Sequence, residues 1–325
     1  MNVVFMGTPI FSCAALQSLI DADYLDVVGV FTRPDSVSGR GNALRPSPIK
    51  TLAHEHDIPV FDPRTLRDPV CWRQLADLCP DVIIVAAYGM ILPPEALQIA
   101  PAGAINIHAS LLPRWRGAAP IERALLAGDE QVGVSIMRLV EELDAGPYCA
   151  MRTIPVADRS LPELTAELAL QGAEALIEVL PSIVDGTAPW VDQDEMLVTY
   201  APKIEKTELL LDPTVDALTN VRRVRASSDK SPARAVICGK DVMVVGARML
   251  EVPDADCAPA VTKERVQAGR VKFFQKHLIL ECANNSRLEV LEVKPAGKCL
   301  MQAPAFARGI NQQLGNPERA LWGRV

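Results

Sequence analysis

The run Ala104-Ile105-Asn106-Ile107-His108 alternates two isoleucines with two polar side chains. In a strand, residues two apart share a face, so Asn106 and His108 fall on one side and the isoleucines on the other. An amide donor beside a titratable imidazole suits stabilisation of an oxyanion together with proton transfer. An ordinary hydrogen-bonded pair at a strand end has the same spacing. Directly downstream, Ser110-Leu111-Leu112-Pro113-Arg114-Trp115-Arg116-Gly117 forms a loop with two arginines around a tryptophan, before a helix.

The elements around this run must place it. Residues 2 to 6 form an apolar run ending in Gly7-Thr8-Pro9, followed by Phe11, Leu16, Leu19 and Ile20 at helical spacing. Further apolar runs at Val27–Phe31, Val82–Ala87 and Ala104–Ile107 alternate with helix-like stretches at Ile49–His56 and Cys71–Leu78. This alternation predicts an α/β fold, a Rossmann-like doubly wound sheet that is mainly parallel. The unbroken Val82-Ile83-Ile84-Val85 indicates strands covered on both faces. Ligands then belong at the C-terminal strand ends, where Asn106 and His108 lie. Val132–Leu139 and Tyr148–Val156 read as two more strands, and Leu161–Val184 as a long amphipathic helix. Pro189–Lys203 reads as a connector, followed by a short helix at Val215–Val224. Beyond it, about five short strands separated by turn signals suit a small β-barrel of the oligonucleotide-binding (OB-like) kind.

Composition narrows the classes. At 325 residues with 49% hydrophobic and 22% charged residues, the chain has material for two globular domains. It has no apolar run of the ~20 residues that span a bilayer and no basic leader, so a cytoplasmic location without membrane association is expected. Eight cysteines without a Cys-x-x-Cys pair, and four histidines, argue against a structural zinc site or disulfide framework. His54 and His56 point to different helix faces and make poor metal partners. The net charge of -7 is segregated: residues 1–205 carry 14 Lys/Arg against 27 Asp/Glu, and residues 206–325 carry 19 against 13. A basic C-terminal part fits a polyanionic partner, or simply a solvated basic face. Gly7-Thr8-Pro9 is not a Gly-x-Gly-x-x-Gly fingerprint, so a nicotinamide-dependent oxidoreductase lacks its expected signal.

The run Asn106 to Ile121 resembles the signature of the methionyl-tRNA formyltransferases, and Leu143-Asp144-Ala145-Gly146-Pro147 resembles their aspartate loop. Further similarity lies in Phe5–Pro9, in Phe31–Pro48 with its Gly39-Arg40-Gly41, in Ala87-Tyr88-Gly89, in Val198-Thr199-Tyr200-Ala201 and in Lys294–Lys298. The resemblance implies a catalytic domain at 1–189, a linker at 190–207 and an OB-like tRNA-binding domain at 208–325. It implies Asn106, His108 and Asp144 as the catalytic trio, with Asp144 a partner of His108 or a relay for the amine's proton. Taken alone, Asp144 is also an ordinary turn aspartate. The formyl donor, 10-formyltetrahydrofolate, is expected against Ser110, Leu111, Leu112 and Pro113 and near Met90–Leu92, with no metal. Ser135 would either hold a water in the site or be a neutral strand residue.

Thr32–Pro48 is a connector too long and too polar for an ordinary β-α turn; the resemblance implies that its Arg40 meets the acceptor end of initiator methionyl-tRNA, while a plain surface loop would read the same way. Arg222, Arg223 and Arg225 would add to a basic surface. The expected protein is a monomer. This chain departs from the family pattern at Ala109 and Glu142, and it lacks a Pro-x-Pro tract in Asn220–Ile237. Related formyltransferases acting on glycinamide ribonucleotide or amino sugars share the catalytic domain and are the nearest competing reading. A non-catalytic RNA-binding module is a third.

Overall fold

The computed structural model describes residues 1–38, 43–250 and 265–325. Gly39, Arg40, Gly41 and Cys257 lie outside the described residues. The chain forms two compact units. The first comprises Met1–Pro120, Glu130–Val156 and Glu163–Pro202; the second comprises Ile121–Asp129, Ala157–Pro162 and Lys203–Val325.

In the first unit, the strands in chain order are β1 (Asn2–Gly7), β2 (Asp26–Phe31), β3 (Ser36–Ser38), β4 (Ala43–Arg45), β5 (Val60–Phe61), β6 (Val82–Ala86) and β7 (Ala104–His108). They are followed by β8 (Arg116–Gly117), β9 (Gln131–Arg138), β10 (Tyr148–Pro155) and β11 (Tyr200–Ala201). Seven of them form one sheet in the order β10-β9-β7-β6-β1-β2-β5. Pairing is parallel from β5 across to β7 and antiparallel where β9 meets β7 and β10. The expected Rossmann-like sheet is therefore present, with an antiparallel pair added beside β7. Every residue of β6 and β7 is buried, as their apolar runs require.

Two helices begin where the sequence caps them. Ser47 accepts from the Lys50 amide at 3.0 Å before Pro48, the first residue of α2 (Pro48–Glu55), after α1 (Cys13–Ile20). Asp68 accepts from the Val70 amide at 2.9 Å before Pro69, which opens α3 (Pro69–Asp77). A short α4 (Pro94–Leu97), α5 (Pro120–Ala127) and the 24-residue α6 (Leu161–Val184) follow, the last over the span expected for it.

The second unit contains α7 (Ala217–Arg225) and the strands β12 (Arg234–Ile237), β13 (Lys240–Met249), β14 (Val271–Phe274), β15 (His277–Glu281), β16 (Arg287–Pro295), β17 (Met301–Gln302) and β18 (Trp322–Gly323). The antiparallel order β14-β15-β16-β13-β12-β18 almost closes on itself. β18 pairs with β12, while the Val271 amide donates to Ala320 O and the Trp322 amide to Gly269 O, both at 2.8 Å. Leu278, Leu280, Leu288, Val290, Val293 and Trp322 fill the barrel-like core. The structure adds two strands to the five expected, because β17 and β18 are two residues long and show no alternation. β13 also runs past its expected end, since register shifts around Gly246 break the period-two pattern.

Candidate active site

β7 lies between parallel β6 and antiparallel β9, and this places Asn106 opposite Val85 and Met137, and His108 opposite Ser135. Asn106 is 8% and His108 6% exposed. The Asn106 side-chain amide has no hydrogen-bond partner within the protein among the described residues. His108 is held instead. Its Nε2 lies 2.9 Å from the carbonyl oxygen of Trp115, which can only accept, so Nε2 carries the proton. The other ring nitrogen, Nδ1, faces Asp144 Oδ2 at 3.8 Å.

The loop between β9 and β10 supplies Asp144. Its backbone sits at φ 49°, a left-handed conformation that aspartate tolerates better than most residues. Oδ2 accepts a 2.8 Å hydrogen bond from the Gly117 amide, while Oδ1 has no protein donor among the described residues. The structure thus brings Asn106, His108 and Asp144 together, from a strand and a loop separated by a helix and two further strands. Glu142, the departure two residues earlier, is exposed.

Ser110 to Pro113 run off the end of β7. Ser110 is buried and its hydroxyl donates to Arg114 O at 2.6 Å; Leu112 is buried, and Leu111 and Pro113 are half-buried. Leu111 packs over Gly133 so closely that a β-carbon there would come within 2.3 Å of it. Ser135, fully buried, donates to Ser110 O at 2.7 Å and accepts from the Leu112 amide at 3.2 Å. Its hydroxyl is thereby occupied as a brace under the loop. Trp115 packs locally too, with the Arg114 guanidinium 4.4 Å from its ring centre.

The neighbouring strand ends complete the crevice. Ser12 Oγ donates to Ala86 O at 2.6 Å and Thr8 Oγ1 to Tyr88 O at 2.9 Å, which ties the turn after β1 to the turn after β6. Ile91 is largely exposed, between half-buried Met90 and buried Leu92. Burial pushes the Tyr88 phenol well above its ordinary range, and its hydroxyl has no partner in the protein among the described residues. No group of three or more His, Cys, Asp or Glu side chains among the described residues is arranged to hold a metal.

The stretch read from sequence as a connector also reaches the site. Thr199 accepts from the Trp115 amide through its hydroxyl and from the Arg116 amide through its carbonyl, both at 2.9 Å, and β11 pairs in parallel with β8. The Arg116 side chain is fully buried; it donates to Gln193 Oε1 at 2.9 Å and pairs with Glu195 at 2.7 Å. Gln193 Nε2 in turn donates to the carbonyls of Asp144 and Gly146, at 2.8 and 2.7 Å. Nothing periodic in the sequence marks Gln193.

In the second unit, the three arginines of α7 are drawn inward. Arg223 donates to Leu210 O at 2.9 Å, and burial lowers its guanidinium below the ordinary range. Arg225 bonds to Ala157 O and Asp158, and Arg222 packs against Gly128. The Arg223 and Arg225 side chains thereby fasten α7 to its surroundings through internal bonds.

Residues 1–180 match the formyl transferase family, and residues 203–311 match the formyl transferase C-terminal domain. The chain is 42% identical over 307 residues to methionyl-tRNA formyltransferase of Methylococcus capsulatus, covering 94% of this chain and 96% of that protein. It is 40% identical over 316 residues to the methionyl-tRNA formyltransferase of Symbiobacterium thermophilum, covering 97% and 94%. Among solved structures, the sugar 3N-formyl transferase WlaRD, crystallised with dTDP and 5-N-formyl-THF, aligns with a TM-score of 0.65 at 12% identity. That alignment covers 92% of this chain and 99% of WlaRD, and at such identity it shows the fold alone. Two matched domains and some 40% identity over nearly the whole length place this chain in the methionyl-tRNA formyltransferase family.

Proposed function

We infer that this protein transfers the formyl group of 10-formyltetrahydrofolate to the amino group of methionine on initiator methionyl-tRNA, as a cytoplasmic monomer and without a metal. The observation that carries the site assignment is the meeting of Asn106, whose amide has no protein partner among the described residues, with His108 and Asp144 at the end of β7. An amide donor with no protein acceptor fits an oxygen brought by the formyl donor. In the reaction, the methionyl amine attacks the formyl carbon, the bond from that carbon to the folate nitrogen breaks, and one proton passes from the amine to that nitrogen.

Each side chain has a task in this scheme. Asn106 donates to the formyl oxygen as it gains negative charge, an interaction whose loss typically costs ~3 to 4 kcal/mol of barrier. Trp115 O keeps the proton on His108 Nε2, which leaves Nδ1 to take up or release a proton toward the reacting groups. Asp144 is fixed through Oδ2, so Oδ1 is the oxygen that meets the amine, directly or through a water. Ser110, Leu111, Leu112 and Pro113 form the wall for the folate, with Ser110 acting through the loop shape its hydroxyl maintains. Arg40 contacts the acceptor end of the tRNA.

In this reading, residues 1–189 are the catalytic domain, 190–207 the linker and 208–325 the OB-like domain that binds tRNA. The relatives' names support tRNA as substrate. The test is transfer of labelled formyl from 10-formyltetrahydrofolate to charged initiator tRNA, with glycinamide ribonucleotide as the competing acceptor. Label on the ribonucleotide and none on the tRNA would overturn the assignment of substrate.

A further inference from the structure

We propose that Gln193 is a positioning residue for formyl transfer, holding the Asp144 loop so that its carboxylate faces His108. The proposal rests on the reading of Asp144 and His108 just given. Three observations lead to it. First, a single side-chain amide uses both N–H bonds on one loop, donating to Asp144 O at 2.8 Å and Gly146 O at 2.7 Å. Second, the amide cannot turn over. Its oxygen accepts from Arg116 Nε at 2.9 Å, and reversing it would set that oxygen against two carbonyls and its NH2 against a cation. Arg116 is itself fully buried and paired with Glu195, so it is a fixed anchor.

Third, the loop needs an outside restraint. Asp144 sits at φ 49°, and a β-carbon at Gly146 would lie 1.9 Å from Arg138 O, so the backbone there has no room to relax toward β9. Consecutive residues of β8 therefore grip Asp144 twice. Gly117 holds the carboxylate through its amide, and Arg116 holds the main chain through Gln193. With only the first grip, the carboxylate stays tethered while the backbone behind it is released.

Two variants separate this role from a merely structural one. Gln193→Glu keeps the length and an acceptor for Arg116 but loses both donors; Gln193→Met loses every polar contact. Both are expected to lower kcat at least ~10-fold, the scale of a small misplacement of a reacting group, with KM for folate and tRNA within about twofold. In an Asp144→Asn background, measured in single turnovers at high enzyme concentration, Gln193→Met should add little further loss. Independently of activity, exchange of the Gly117 amide, followed by NMR, should quicken at least ~10-fold in both variants while the amides of β6 keep their protection. Unchanged Gly117 exchange, or a loss fully additive with Asp144→Asn, overturns the proposal. Failure of the wild-type protein to formylate charged tRNA overturns the functional reading instead and leaves the exchange test standing.

Discussion

Among individual residues, the contrast between Asn106 and Ser135 is instructive. Both residues are buried on adjacent strands, yet Ser135 satisfies both its donor and its acceptor within the protein, whereas Asn106 has no protein partner among the described residues. The side-chain amide left without a protein partner is available to a ligand atom, while the doubly bonded Ser135 hydroxyl marks support. Asn106→Ala and His108→Ala should each reduce kcat by at least ~100-fold, since each removes a group acting mainly in the transition state. Thermal unfolding should change little: His108→Ala removes one hydrogen bond, that to Trp115 O, an effect of ~1 kcal/mol or roughly 2–4 °C for a chain of this size. Turnover near normal for either variant would remove that residue from the mechanism.

At the scale of elements, two supports can be tested. Ser135 braces the loop after β7 from the facing strand, and Ser135→Ala would strand a buried carbonyl and a buried amide. The expected cost is ~1–3 kcal/mol of stability, with folate affinity falling because Leu111–Pro113 lose their seat. Denaturant titration and a folate binding isotherm on the variant measure the two effects, and no loss in either would show that β9 alone sets the loop.

α5 is fastened within the second unit by Arg123, which bonds Glu208 at 2.7 Å and Lys203 O at 3.2 Å. Hydrogen bonds from Arg123 hold the Glu208 carboxyl below its ordinary range. Because that value is depressed in the folded protein, its stabilisation is complete above the ordinary carboxylate pKa and is lost as pH falls through the lowered value. Arg123→Ala should therefore lower Tm near neutral pH by the small effect of a partly exposed pair, ~0.5–1 kcal/mol, and the gap to wild type should close on acidification. A gap independent of pH would mean that Arg123 acts through packing alone.

For the whole molecule, the segregation of charge and the division of the chain are separate matters. The basic tally of residues 206–325 predicts that tRNA affinity falls steeply with added salt while folate affinity stays nearly flat, as only the first ligand is a dense polyanion. Titrating both ligands at low and moderate salt checks this, and a flat response for tRNA would sink the electrostatic account. The fold complicates a cut after residue 205. Ile121–Asp129 and Ala157–Pro162 cluster with the second unit, so a fragment 1–205 exposes Ile121 and Leu125, both buried in the full chain. Such a fragment should retain folate binding, since all the proposed catalytic residues lie in the first unit, but unfold at a lower temperature than the full chain. Equal melting temperatures would show α5 to be independent of the second unit.

Periodicity in the sequence determined six of the seven strands of the sheet, the two-residue β5 being too short to show it, together with the long α6 and the placement of Asn106 and His108 on one face of β7, because side-chain alternation and burial follow directly from backbone geometry. Family motifs pointed to Asp144, which local propensity alone reads as a turn former. Composition marked the charge of the C-terminal part, but only packing decided that Arg223 and Arg225 would bond internally. Only tertiary structure decided that Ser135 braces a loop and that Gln193, forty-nine residues beyond Asp144, closes on that aspartate's main chain. Those bonds join a side chain to backbone groups distant in the chain. Every residue carries the same backbone carbonyl, so the partner of such a bond is chosen by the fold and leaves no pattern of residue types to read.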